Sequence, residues 1–172
     1  LIENELGIKA SYYFRIGKES NRPEIIKRIV ELGHEIGYHY EDLALAFGDY
    51  DKATRTFEQN LNYFQTFYPV KTMCMHGSPL SKWDNRDLWK KFDYKKYGII
   101  AEPYFDLNFN EIFYITDASR TWNNRKVTIR DKVKTNFDIK VDSIFDIITL
   151  LKSNELPKKI MLNTHSQNWT DS

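Results

Sequence analysis

A chain of 172 residues with 41% hydrophobic and 28% charged side chains has the length and balance of one globular domain with a sizeable core, which excludes a disordered chain. A net charge of +1 gives no electrostatic basis for binding nucleic acid or an anionic membrane, and no apolar run reaches the length of a membrane span. Cys74 is the single cysteine, so no disulfide closes within the chain, and its apolar setting reads as a buried thiol.

Aromatic residues make up 15% of the chain. They read first as core and half-buried surface, and second as lining for a sugar cleft. The sequence begins with Leu rather than Met, which reads as a processed chain or a fragment.

In chain order, residues 1–6 look like the end of a helix closed by Gly7. Ile8 to Ile16 reads as a strand, rich in aromatic and β-branched residues. Ser20 or Asn21 can cap the next helix, with Pro23 in its first turn and Ile25, Ile26, Ile29, Val30 and Leu32 as its apolar face. Gly33 ends that helix, and Glu35 to His39 is a short strand. Ala53, Phe57, Leu61, Phe64 and Tyr68 recur at helical spacing, so the spacing predicts a helix over 51–68 with Asp51 as N-cap and Pro69 as its stop.

Val70 to Met75 is a strand running into His76-Gly77-Ser78-Pro79, and Asp84 opens a short helix through Trp89. Short strands follow at 98–101 and 112–116, the first running into Glu102 and the second into Asp117. The stretch 119–137 is polar, with a short strand expected at 127–129. Asp142 or Ser143 caps a helix through Leu151, and Lys159 to Thr164 is the last strand, ending at His165. Alternating strands and helices with short connections predict an α/β fold built of βα units around a parallel sheet or barrel, in a single domain over 1–172. Neither Gly-rich phosphate-loop pattern is present, which disfavours an open dinucleotide-binding sheet.

In parallel βα folds the chemistry sits at the C-terminal ends of the strands. Three of the four histidines, His39, His76 and His165, stand at such ends. Period two places Glu35, Gly37 and His39 on one strand face and Thr72, Cys74 and His76 on one face of another. Histidines with a carboxylate are common ligands of zinc and similar ions, and an imidazole outside a metal site can serve as a general acid. Each histidine alone reads as a structural hydrogen-bonder, and His34 fits that reading best because it begins a strand. Three at equivalent positions favour function.

The stretch Gly33-His34-Glu35-Ile36-Gly37-Tyr38-His39 resembles the second motif of the polysaccharide deacetylase (NodB-homology, carbohydrate esterase family 4) group. Ile8 to Phe14 is similar to the strand before it, and Met75 to Ser81 and Asn163-Thr164-His165 fall where the third and fifth motifs fall. The resemblance covers nearly the whole chain and is nearest to a divergent branch among polysaccharide-biosynthesis proteins. It implies a distorted (β/α) barrel, incomplete here, and a divalent ion, zinc first, held by one Asp and two His.

The family's first motif, which supplies an Asp base and an Asp ligand, has no counterpart in this chain: either it was lost or it lies upstream of Leu1. The family's second ligand His falls on Leu43, so the resemblance leaves His39, His76 and Asp42 as the metal residues. It implies His165 as the acid that protonates the leaving amine, with Asp117 orienting it. Trp83, Tyr104, Arg120 and Trp122 are the expected sugar-binding residues.

The function so implied is metal-dependent removal of N-acetyl groups from a carbohydrate or polysaccharide precursor, with the cytoplasm as the expected compartment and an extracellular or periplasmic one as the alternative. The alternative is a barrel that binds glycans without turnover. A third, weaker option is hydrolysis of another amide or an ester.

Overall fold

The computed structural model describes residues 2–118, 122 and 130–168, except for the side chain of Gln167. The chain is α/β. Its described residues gather into two compact units, Leu1–Asp106 and Leu107–Ser172.

The first unit opens with helix α1 (Ile2–Glu5), strand β1 (Ser11–Phe14) and helix α2 (Pro23–Glu31). Pro23 occupies the first turn of α2, where its missing N–H costs nothing, and no side chain caps the helix. Gly33 ends α2 at φ 77°, and two backbone bonds close the end: Gly33 N–H to the Val30 carbonyl, 2.8 Å, and His34 N–H to the Ile29 carbonyl, 3.3 Å. The chain then enters strand β2 (Glu35–Tyr40), and a single helical turn, α3 (Asp42–Leu45), follows.

Helix α4 (Tyr50–Gln65) starts two residues earlier than the predicted cap implied, because Asp49 rather than Asp51 accepts from a backbone amide, that of Lys52. Strand β3 (Met73–Met75) comes next, then 3₁₀ turns at Asn85–Lys90 and Tyr94–Tyr97 and helix α5 (Pro103–Asp106). β1, β2 and β3 form one parallel sheet in that order, with His39 opposite Cys74 and Tyr13 opposite Gly37. The strand predicted at 98–101 is reduced to a bridge between Ala101 and Thr72. Gly98, at φ 78°, turns the chain on one side, and Pro103 brings no N–H on the other.

Alternation along the strands sorts the sheet into two faces. Ile36, Tyr38 and Tyr40 of β2 and Met73 and Met75 of β3 are buried in one cluster with Ile26 and Ile29 of α2 and Phe57, Leu61 and Phe64 of α4. Phe57 is at its centre, its ring 5.4 Å from Tyr38, 6.1 Å from Tyr40 and 4.7 Å from Trp89. Fully burying side chains of this size contributes roughly 1.5–3 kcal/mol each, which fixes which face of β2 turns inward.

The other face carries Ser11, Tyr13, Glu35, Gly37, His39, Thr72 and Cys74. Glu35 accepts from the Ser11 hydroxyl and from Thr72 Oγ1 at 2.7 Å, and the Tyr13 hydroxyl donates to Thr72 Oγ1 at 3.2 Å. The Tyr13 ring lies across Gly37, where an added Cβ would stand 2.3 Å from Tyr13 Cε1.

The second unit pairs strand β4 (Phe113–Thr116) with strand β5 (Ile160–Asn163) in parallel, joined through helix α6 (Ile144–Lys152). Ser143, one of the two predicted caps, begins α6 with a reciprocal capping box to Asp146. Phe113, Ile115, Val141 and Ile147 form its core, with Trp122, Phe137 and Ile139 packed against them. The strand expected at 127–129 lies outside the described residues.

Among the described residues the strands make two parallel sheets, of three and two strands, and no closed barrel. No described helix is long and apolar enough to cross a membrane.

Gly37→Ala is expected to lower the unfolding free energy by about 1–3 kcal/mol, because the methyl group would have to displace the Tyr13 ring and also stand 3.1 Å from the Thr72 carbonyl. Urea titration measures it, and unchanged stability would show that Tyr13 does not need that glycine.

Candidate functional site

His39 and His76 leave adjacent strands at the same end, and their ring centroids are 5.2 Å apart. His39 Nδ1 lies 2.9 Å from the Cys74 carbonyl oxygen. A carbonyl only accepts, so Nδ1 carries a hydrogen. His76 is held the opposite way. Its Nδ1 accepts from the Ser78 backbone N–H at 3.0 Å, so the neutral ring carries its hydrogen on Nε2.

The turn that presents Ser78 is itself braced. Ser78 has φ 43°, in the left-handed region, and buried Asn85 donates to the His76 carbonyl at 2.7 Å and to Ser78 Oγ at 3.1 Å. Asn85 Oδ1 in turn accepts from Ala44 N–H at 2.9 Å.

The carboxylate beside His76 is Glu41, with Oε2 3.8 Å from His76 Nδ1. Arg15 grips Glu41 in a fork of 2.8 and 2.9 Å. Asp42, the expected oxygen donor, points elsewhere. It is buried, accepts from the Tyr38 hydroxyl at 2.7 Å and from Asn60 Nδ2 at 3.0 Å, and braces α3 and β2 against α4. Burial pushes its carboxyl up to about 6 against the lowering effect of those donors. His34 is structural, its Nδ1 accepting from Ala10 N–H and its ring edge-on to Tyr12.

Glu102 is fully buried at the end of the Ala101 bridge. It accepts from Met75 N–H at 3.1 Å and Tyr104 N–H at 2.7 Å, so it anchors the chain after β3. Burial pushes its carboxyl up to about 7.

The second unit holds a histidine–carboxylate pair. His165 Nδ1 is 2.6 Å from Asp117 Oδ1, and the His165 backbone N–H also donates to both carboxylate oxygens, at 3.0 and 3.1 Å. Asn168 donates to the Asp117 carbonyl at 2.9 Å. The carboxylate therefore fixes ring position and tautomer together, with a hydrogen on Nδ1.

Of the expected sugar-binding residues, Trp83 packs over Gly48 and under Lys82, whose Nζ is 5.0 Å from the ring. Tyr104 has the Arg86 guanidinium 5.6 Å from its ring centroid. Trp122 packs in the second core and borders a groove of about 390 Å³ with Tyr114, Phe137 and Lys140. Arg120 lies outside the described residues. The sequence did not single out Arg15, Glu41, Ser78 or Asn85 as site residues. The adjacency of Glu41 to the His39 strand end was the available signal.

A divalent ion fits these residues only in part. His39, with Nδ1 on a carbonyl, has the arrangement of a ligand histidine. His76 and Asp42 are committed to other hydrogen bonds, and among the described residues no group of three His, Cys, Asp or Glu side chains is arranged to hold a metal. No family model, no curated protein and no solved structure matches the chain.

A pH prediction follows from Glu102. Its carboxyl is raised above the usual value of 4.5, so the folded state binds the proton more tightly than the unfolded state. That contribution is complete below about pH 4.5 and is lost as pH rises through about 7, on the order of 3 kcal/mol. Asp42 acts with the same sign up to about pH 6. Urea midpoints measured across this window should slope less steeply in Glu102→Gln than in the parent, and parallel slopes would contradict the assignment.

Proposed function

We propose that the chain is a hydrolase removing N-acetyl groups from a carbohydrate or polysaccharide precursor, on a distorted (β/α) barrel of the polysaccharide deacetylase type. The observation that carries this reading is the Asp117–His165 pair. Asp117 holds the imidazole by Nδ1, so Nε2 can take a proton from attacking water and return it to the leaving nitrogen. Water oxygen bonds to the acetyl carbon, the C–N bond breaks, and the products are acetate and the free amine.

Support for the barrel comes from the parallel strands, from histidines at their C-terminal ends, and from the polar sheet face that carries His39. Zinc, the first expectation among divalent ions, polarises a carbonyl and activates water when bound. In this chain His39 is the residue whose hydrogen bonding suits a ligand. Trp83, Tyr104, Arg120 and Trp122 remain the proposed sugar contacts.

Glycan binding without turnover is the second reading. It is favoured by the hydrogen bonds that occupy the Asp42 carboxylate and His76 Nδ1, two of the expected metal residues.

The test is acetate release from a panel of N-acetylated sugars. His165→Ala and Asp117→Asn are each expected to lower kcat by about 10²–10⁴ with the fold intact by circular dichroism. Sugar binding with no release by the parent protein would establish the second reading instead. Activity unaffected by His165→Ala would remove His165 from the mechanism.

A further inference from the structure

We propose that Asn168 is the positioning residue of the Asp117–His165 pair. It ties the end of β4 to the turn after β5, and the contact between carboxylate and imidazole holds only while that tie is made. The catalytic meaning of this role rests on the hydrolase reading above; the geometry of the tie does not.

The strands bring Asp117 and His165 close but do not fix them. The ladder pairs Thr116 with Asn163 and ends in one further bond, from Asp117 N–H to the Asn163 carbonyl at 3.2 Å. His165 stands two residues past that point. Among the described residues, every hydrogen bond that the Asp117 carboxylate accepts comes from His165: its backbone N–H at 3.0 and 3.1 Å, and its ring at 2.6 Å. Asp117 is buried, so losing those donors would strand a charge away from water. A carboxylate held by one residue is satisfied only where that residue is held in turn.

Asn168 holds it with two bonds. Its backbone N–H donates to the His165 carbonyl at 2.9 Å, closing the 3₁₀ turn at Ser166–Asn168. Its side-chain Nδ2 donates to the Asp117 carbonyl, also at 2.9 Å. Asp117 is thereby bound twice to one short segment, by its carboxylate to residue 165 and by its carbonyl to residue 168. The turn that carries the ring cannot swing away from β4 without breaking the carboxamide bond. On the other side of Asp117 the chain is already fixed, since Thr116 Oγ1 accepts from Ala118 N–H at 3.2 Å. The freedom that Asn168 removes therefore lies in the turn after β5. The side-chain type follows from the partner: a carbonyl only accepts, so position 168 must donate. An ionised aspartate there would have the same shape but no hydrogen to offer.

The experiment follows the hydrogen on His165 Nδ1 by ¹H–¹⁵N NMR of the full chain, above the imidazole titration range, with the signal assigned by its loss in His165→Gln. The parent is expected to show it far downfield, as a hydrogen held between a nitrogen and a carboxylate oxygen 2.6 Å apart. Asn168→Asp and Asn168→Ala are expected to lose it while the backbone amide signals of β4 and β5 stay in place. Asn168→Gln keeps a donor and is expected to retain part of it. A signal that persists in Asn168→Asp or Asn168→Ala would overturn the proposal. So would equal loss in Asn168→Gln and Asn168→Asp, or loss accompanied by displaced β4 and β5 amides, which would make Asn168 a support of the sheet rather than of the pair. Where the parent releases acetate, Asn168→Asp should lower kcat by about 10–100-fold with KM unchanged. A parent that releases none sinks the hydrolase reading alone, and a signal that survives in Asn168→Asp sinks the positioning role alone.

Discussion

The packing of Tyr38 and Tyr40 against Phe57 is the constraint on which the first unit depends. β2 has two faces, and only one can be buried against α4. Tyr38 and Tyr40 are almost wholly shielded and ring-packed on Phe57, which commits the even-numbered positions of β2 to the core. Period two then turns Glu35, Gly37 and His39 to the opposite face. A slip of one residue would bury a carboxylate and an imidazole and expose two tyrosines. The position of His39 is thus a consequence of aromatic packing on the far side of the sheet.

The same logic separates two adjacent carboxylates. Glu41 and Asp42 follow the strand directly, but the start of α3 sends them apart. Asp42 closes a buried network with Tyr38 and Asn60, while Glu41 turns toward Arg15 and His76. Buried carboxylates need donors, and Asp42 and Glu102 both find them in hydroxyl, amide or backbone N–H groups. These acids brace the strand ends that carry the histidines. Their chemistry is structural even though they stand at the positions where catalytic groups are sought.

The elements with strong periodicity or clear punctuation were legible in the sequence. α4 follows from the spacing of Phe57, Leu61 and Phe64, and the end of α2 from Gly33. The parallel strands ending at His39, His76 and His165 were also legible, because short apolar runs ending in histidine need no tertiary information. What escaped was set either by competition between near neighbours or by partners distant in sequence. The Ala101 segment forms a bridge rather than a strand because Gly98 and Pro103 bound it, and Asp49 caps α4 because its side chain reaches Lys52 N–H. Asn85, which holds Ala44, His76 and Ser78 at once, has no local signature at all.

Residue type and position place a histidine at a strand end, but its chemistry is decided by what its Nδ1 meets. At His39 that partner is a carbonyl, at His76 an amide N–H and at His165 a carboxylate. The three rings are therefore held in three different ways at Nδ1. Only the first and third have the hydrogen-bonding pattern that ligand or acid–base histidines share. Equivalent strand-end positions thus carry differently bonded rings, because the partner comes from the neighbouring strand at His39, from the following turn at His76 and from the end of the paired strand at His165. In His76 that loop is the strained Gly77-Ser78 turn, and the backbone amide it presents determines which ring nitrogen bears the hydrogen.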